Sequence, residues 1–170
     1  VYVAQNGTFT MTGGDITGNS NGSSNAGGGV YVANGGKFNL AGEGRVTANK
    51  NTYAFGGGGV YVATNGAFTM DGGDIANNVN GSDASAGGVC VARNGTFTMN
   101  SGNISSNENT DDDNNNNSCG GVYIYSGIFT MNDGKITGNT SKSNGGGVHI
   151  CASYDSKQQE WIPGKLIMNG

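Results

Sequence analysis

Between Val1 and Met168 the apolar residues fall into pairs separated by a single residue, and the pairs recur at intervals near 30 residues. The first pair is Val1/Val3, Val30/Val32, Val60/Val62, Val89/Val91, Val122/Ile124 and Val148/Ile150, in steps of 29, 30, 29, 33 and 26 residues. Alternation with period two puts both members on one face of a strand. The residue between them (Tyr2, Tyr31, Tyr61, Cys90, Tyr123 or His149) is expected on the opposite, outward face. A turn signal follows each pair, at Asn6-Gly7, Gly35-Gly36, Asn65-Gly66, Asn94-Gly95 and Ser126-Gly127. A second alternating pair comes next: Phe9/Met11, Phe38/Leu40, Phe68/Met70, Phe97/Met99 and Phe129/Met131. Beyond a glycine-rich bend stands one more apolar residue, Ile16, Val46, Ile75, Ile104 or Ile136, and three residues later an asparagine: Asn19, Asn49, Asn78, Asn107 or Asn139. A polar loop of variable length leads back to the glycines that open the next unit.

Three short strands per 30-residue unit define a solenoid, because each unit exposes an apolar row that only a neighbouring unit can cover. Helical repeats of similar length are excluded by the period-two alternation and the glycine density. The pattern predicts an all-β, right-handed parallel β-helix of about 5.5 coils of roughly 30 residues. These form one segment across residues 1–170, with coils beginning near 1, 30, 60, 89, 122 and 148. The asparagine column is expected to be structural, either an amide ladder from coil to coil or a left-handed turn position. Coil six carries an insert at 153–164, holding the sole Trp161 and sole Pro163, before Leu166 and Met168 resume the Phe/Met columns. Both ends fall within a coil, which points to a longer parent or to end-to-end stacking with further coils or chains.

Composition adds exclusions. With 34 glycines and abundant Asn and Ser the chain would read as disordered if residue order were ignored. Net charge is −4 with 12% charged residues, which argues against nucleic acid as a partner. No apolar run is long enough for a helix to insert into a membrane within this segment.

Candidate chemistry is sparse, and no cofactor motif is present. The column Asp15, Arg45, Asp74, Asn103, Lys135 places no two carboxylates on adjacent coils, as a glycosidase pair would need. Asp111, Asp112 and Asp113 lack the ligand spacing of a calcium loop. His149 stands in the outward row without a nucleophile–base set around it. Cys90 and Cys119 lie four register positions apart, roughly 13 Å at ~3.3 Å per residue, beyond disulfide reach; Cys151 is likewise expected to be unpaired. Thr8, Thr10, Thr69, Thr96, Thr98 and Thr130 form an outward array, interrupted by Lys37, Asn39, Ala67 and Ile128, of the kind a flat ice-binding face uses. The outward row Tyr2, Tyr31, Tyr61, Tyr123, together with Trp161, is the candidate binding face for a glycan or protein, since tyrosine offers apolar area with a polar tip.

The motifs Gly-Gly-x-Val (Gly28-Gly29-Val30, Gly87-Gly88-Val89, Gly120-Gly121-Val122) and Ile-x-x-Asn (Ile16 to Asn19, Ile75 to Asn78, Ile104 to Asn107) resemble the repeats of chlamydial polymorphic membrane proteins and related autotransporter-type adhesins. That resemblance implies a non-enzymatic structural or adhesive β-helix at the cell surface or outside the cell, with a host or cell-surface protein or glycan as partner. Two alternatives stand beside it: a carbohydrate-binding or carbohydrate-active β-helix with its active site outside this segment, and ice binding through the threonine face.

Overall fold

The computed structural model describes residues 1–23, 26–112 and 117–169. It is an all-β parallel solenoid of about five turns, with no helix among the described residues. The first strands (Tyr2–Val3, Val30–Val32, Val60–Val62, Val89–Val91, Val122–Tyr125, Val148–Cys151) stack as one six-stranded parallel sheet, valine on valine. The second sheet pairs Phe9, Phe38, Phe68 and Phe97 with Phe129 in a continuous row. The rings along it lie 4.5 to 5.2 Å apart and within 8° of parallel. A third sheet of two-residue strands carries Asn21, Asn51, Asn80, Asn109 and Ser141.

The glycine-rich bend does not divide the second strand everywhere. Lys37–Thr47, Ala67–Ala76 and Thr96–Ser105 each run through it as one strand. The extra residues are taken up by β-bulges near Asp71 and Gly72. Only in the first and fifth coils is the strand broken, into Thr8–Met11 and Asp15–Thr17, and into Ile128–Met131 and Lys135–Thr137.

The interior is one apolar column set. Val30, Val60, Val89, Val122, Phe38, Phe97, Phe129, Leu40, Met70, Met99, Ile75 and Ile104 are wholly buried, whereas Phe9, Met131, Ile136, Val148 and Leu166 in the terminal coils are only partly covered. This is what stacking by nearest neighbours requires. The paired glycines are needed for close approach. A Cβ on Gly58 would collide with the carbonyl oxygens of Gly87 and Val79, and one on Gly28 with those of Gly58 and Lys50. By contrast, one on Gly13 would meet nothing within 4 Å.

Candidate functional site

The asparagine column forms a buried amide ladder. Nδ2 of Asn19, Asn49, Asn78 and Asn107 donates to Oδ1 of the asparagine one coil further on, at 2.9, 3.1, 2.9 and 2.9 Å. Each receiving Oδ1 also accepts the donor residue's own backbone N–H, at 2.9 to 3.0 Å. The second Nδ2 proton of Asn49, Asn78, Asn107 and Asn139 reaches back to the carbonyls of Ile16, Val46, Ile75 and Ile104 respectively, whereas that of Asn19 goes to the Thr17 carbonyl. In Asn49, Asn78 and Asn107, the buried members of the column, two donors and one double acceptor are thus used in full, as burial demands. The left-handed residue is the one before the asparagine: Ala48, Asn77 and Ser106 at φ 53, 55 and 54°, with Gly18 and Gly138 at the same place in the end coils.

A second asparagine row, not recognised from the pattern, organises the return loops. Asn51, Asn80 and Asn109 are fully buried. Oδ1 of Asn21, Asn80 and Asn109 accepts the N–H two residues on, from Ser23, Ser82 and Asp111, the side chain standing in for a backbone turn. Asn51 departs from this: its Nδ2 donates to the Tyr53 carbonyl at 2.7 Å.

These loops overturn the expectation of an outward aromatic stripe. They fold back over the outer face of the valine sheet and pair through Ala26–Gly27 with Gly56–Gly57 and through the bridges Gly57 to Ala86 to Cys119. Tyr61, Cys90 and Tyr123 are therefore buried, in a second cluster with Ala63, Ala86, Ala92 and Cys119. Tyr31 is partly covered, and Tyr2 alone of the row is open, at 70% exposure. Burial pushes the Tyr31, Tyr61 and Tyr123 hydroxyls above their ordinary range. His149 is not a surface residue either: it is half-buried against Tyr123 at 5.2 Å, with Nδ1 enclosed and unpartnered. Desolvation lowers its pKa.

The cysteines are free thiols. Cys90 and Cys119 nevertheless belong to the same buried cluster, so a separation counted along straight strands is not their real relation. The return loop carries Cys119 back over the row that holds Cys90. Burial raises Cys90 beyond ordinary titration and Cys119 to about 11, which leaves both thiols unreactive as nucleophiles.

The polar columns are ladders. Arg45 holds Asp15 through two hydrogen bonds, at 2.6 and 2.9 Å. That contact first, and the guanidinium charge after it, set the Asp15 carboxyl below its usual range. Asn103 donates to Asp74, so Arg45 stands between the two carboxylates in the column. A further exposed row, Asn169 to Asn132 to Asn100 to Asp71, is linked by amide donors at 2.6 to 2.7 Å. The threonines sit in register on the outer face of the phenylalanine sheet, with Lys37, Asn39, Ala67 and Ile128 in the same rows. Of Asp111 to Asp113, Asp113 lies outside the described residues; Asp111 caps Asn109 through its N–H. No group of three or more metal-ligating side chains occurs among the described residues.

The insert is a β-hairpin, Ser153–Asp155 against Glu160–Ile162. The chain leaves the solenoid after Cys151 and rejoins it at Gly164, whose N–H bonds the Cys151 carbonyl at 3.0 Å. In the first four coils the turn glycine makes the same bond, as Gly66 does to Ala63. The hairpin is thus spliced into a turn without shifting the register of Leu166 and Met168. Its base is fixed. Ser126 Oγ accepts the Ser153 N–H at 2.6 Å and lies 2.7 Å from Ser153 Oγ, and Arg93 pairs with Asp155 at 2.6 Å. The Lys157 and Gln158 amides, and then Arg93, hold the Asp155 carboxyl low. Its outer face carries Trp161, 68% exposed, and Tyr154, 51% exposed, with rings 5.5 Å apart, edge to face.

No family model, curated protein or solved structure matches the chain. The likeness to surface-adhesin repeats therefore rests on the quoted motifs alone.

Proposed function

We propose that the chain is a non-enzymatic, adhesive β-solenoid segment of a cell-surface or secreted protein. The coils act as a rigid rod, and the hairpin of coil six is the contact element. The observation that carries this reading is the exposed Tyr154–Trp161 pair. Large aromatic side chains normally seek burial, and such residues are over-represented where binding energy concentrates. Here they stand on an element that the repeat does not need and that is anchored by three polar contacts at its base. The side chains are held in place while their outer faces stay in water, which lowers the entropy lost on contact with a partner. The partner fitting this surface is a glycan or protein at a cell surface. The motif resemblance supports the location outside the cell, and the polar columns supply no adjacent carboxylate pair for glycoside chemistry.

The test is binding of the purified chain to immobilised collagen, fibronectin and a glycan array, alongside the double variant Tyr154→Ala/Trp161→Ala. Both side chains are exposed, so the melting temperature is expected to stay within about 2 °C. Binding is expected to fall at least ten-fold. Absence of binding to every surface, or equal binding by the variant, would overturn the proposal.

A further inference from the structure

The aromatic row between the valines has one interior gap. Tyr31 and Tyr61 precede it and Tyr123 follows, but in the fourth coil the position is Cys90. A thiol replaces a phenol there, and the space is not refilled. A cavity of about 410 Å³ opens at this point, lined by Tyr61, Thr64, Cys90, Ala92, Arg93 and Tyr125. That volume lies within the ~300–1,000 Å³ usual for small-ligand sites. Asp155 fixes the Arg93 guanidinium through Nη2.

Phe55 also lines the cavity, and its presence is hard to explain by packing. Its place, five residues before the column valine, is held in the other coils by Asn25, Ala84, Asn117 and Ser143. The backbone there is left-handed, φ 51° at Phe55 and 50° at Ala84, a conformation that bulky side chains rarely adopt. Phe55 is also 38% exposed. Its ring reaches past the fourth coil to meet Tyr125 edge-on at 5.7 Å, spanning the gap above Cys90. A strained, partly exposed aromatic bridging a cavity points to use rather than stability.

We infer that the cavity over Cys90, bounded on one side by the touching Phe55 and Tyr125 rings, binds one pyranose ring of a glycan. A pyranose presents an apolar C–H face, which aromatic walls accept, and a rim of hydroxyls, which Thr64 and the oriented Arg93 guanidinium can bond. The buried Cys90 thiol contributes shape and no chemistry. This site deepens the adhesive reading by naming a ligand class. It does not depend on Trp161.

Saturation-transfer NMR on the whole chain, with the methyl pyranosides of glucose, galactose, mannose and N-acetylglucosamine, tests it. At least one pyranoside is expected to receive saturation at its ring C–H protons. In Phe55→Gly, which relieves the left-handed strain, binding should weaken at least ten-fold while the melting temperature holds or rises. In Cys90→Tyr, which restores the row, it should also weaken at least ten-fold, with the fold checked by circular dichroism. Lys37→Ala, an exposed position on the outer face of the phenylalanine sheet, should bind the pyranoside as the parent does. The inference fails if no pyranoside binds, or if Phe55→Gly binds unchanged. It fails equally if N-acetyl-tryptophanamide is the only probe bound, which would make the slot a peptide site. Loss in Trp161→Ala with retention in Phe55→Gly would move glycan binding to the hairpin, refuting the slot while leaving the adhesive function intact.

Discussion

At the scale of single residues, the asparagine ladder is the most demanding feature. Replacing Asn78 by Ala would leave the Asn49 backbone N–H and Nδ2 without their acceptor and the Val46 carbonyl without its donor, all in the interior. Each buried orphan costs about 1–3 kcal/mol. Asn78→Ala is therefore expected to destabilise by about 3–5 kcal/mol, and Asn139→Ala, in a less covered coil, by distinctly less; urea midpoints would check both. The column itself was legible, because an apolar residue (Ile in four units, Val46 in one) stands three residues before the asparagine in all five. The neighbouring left-handed position was not, because Gly18, Ala48, Asn77, Ser106 and Gly138 share no side-chain chemistry. Their φ is imposed by the turn.

At the scale of elements, the valine and phenylalanine strand rows followed from alternation alone, since a period of two admits only one set of inward residues, whereas the two-residue strands of the third sheet carry no apolar pair and left no such signal. What alternation could not report was which outward faces stay outward. The return loops vary in length and carry no apolar period, yet they bury Tyr61, Cys90 and Tyr123. The available signal was negative: Ala33, Ala63 and Ala92, two residues after Tyr31, Tyr61 and Cys90, and Gly57 and Ala86 before the column valines, are small where a solvated strand face would be polar. His149 shares this covered row, which gives a pH dependence. Its folded pKa lies below the ordinary value of 6.5 because burial disfavours the cation. The unfolded chain therefore binds more protons as pH falls through 6.5. The stabilising contribution is full above that value and declines below it until the folded pKa is reached. Melting temperature is expected to fall from pH 7.5 to 5.5, and His149→Tyr, the row's usual residue, to flatten that slope. An unchanged slope in the variant would assign the effect elsewhere. The carboxyls of Asp15 and Asp155 are shifted downward from 3.8 and act only in more acid solution.

At the scale of the whole molecule, the chain is a stack in which each coil is covered by its neighbours, and its candidate sites are departures from the repeat. The hairpin at Tyr154 and Trp161 was visible in the sequence as an insertion. The slot at Cys90 was visible only as a missing tyrosine, and Phe55 gained meaning from its left-handed backbone and its reach to Tyr125. The register of the stack underlies every one of these assignments. It can be tested by cross-linking across the outer face of the phenylalanine sheet, in a background where Cys151 is Ser. Thr69 and Thr98 are register partners on adjacent coils, about 4.8 Å apart, within disulfide range. Asn39 and Thr98 both pair with Thr69, from opposite sides, and so stand about 10 Å apart. Under mild oxidation Thr69→Cys/Thr98→Cys is expected to form an intramolecular disulfide nearly completely and Asn39→Cys/Thr98→Cys to remain reduced. The opposite outcome, or no cross-link in either, would contradict the in-register solenoid.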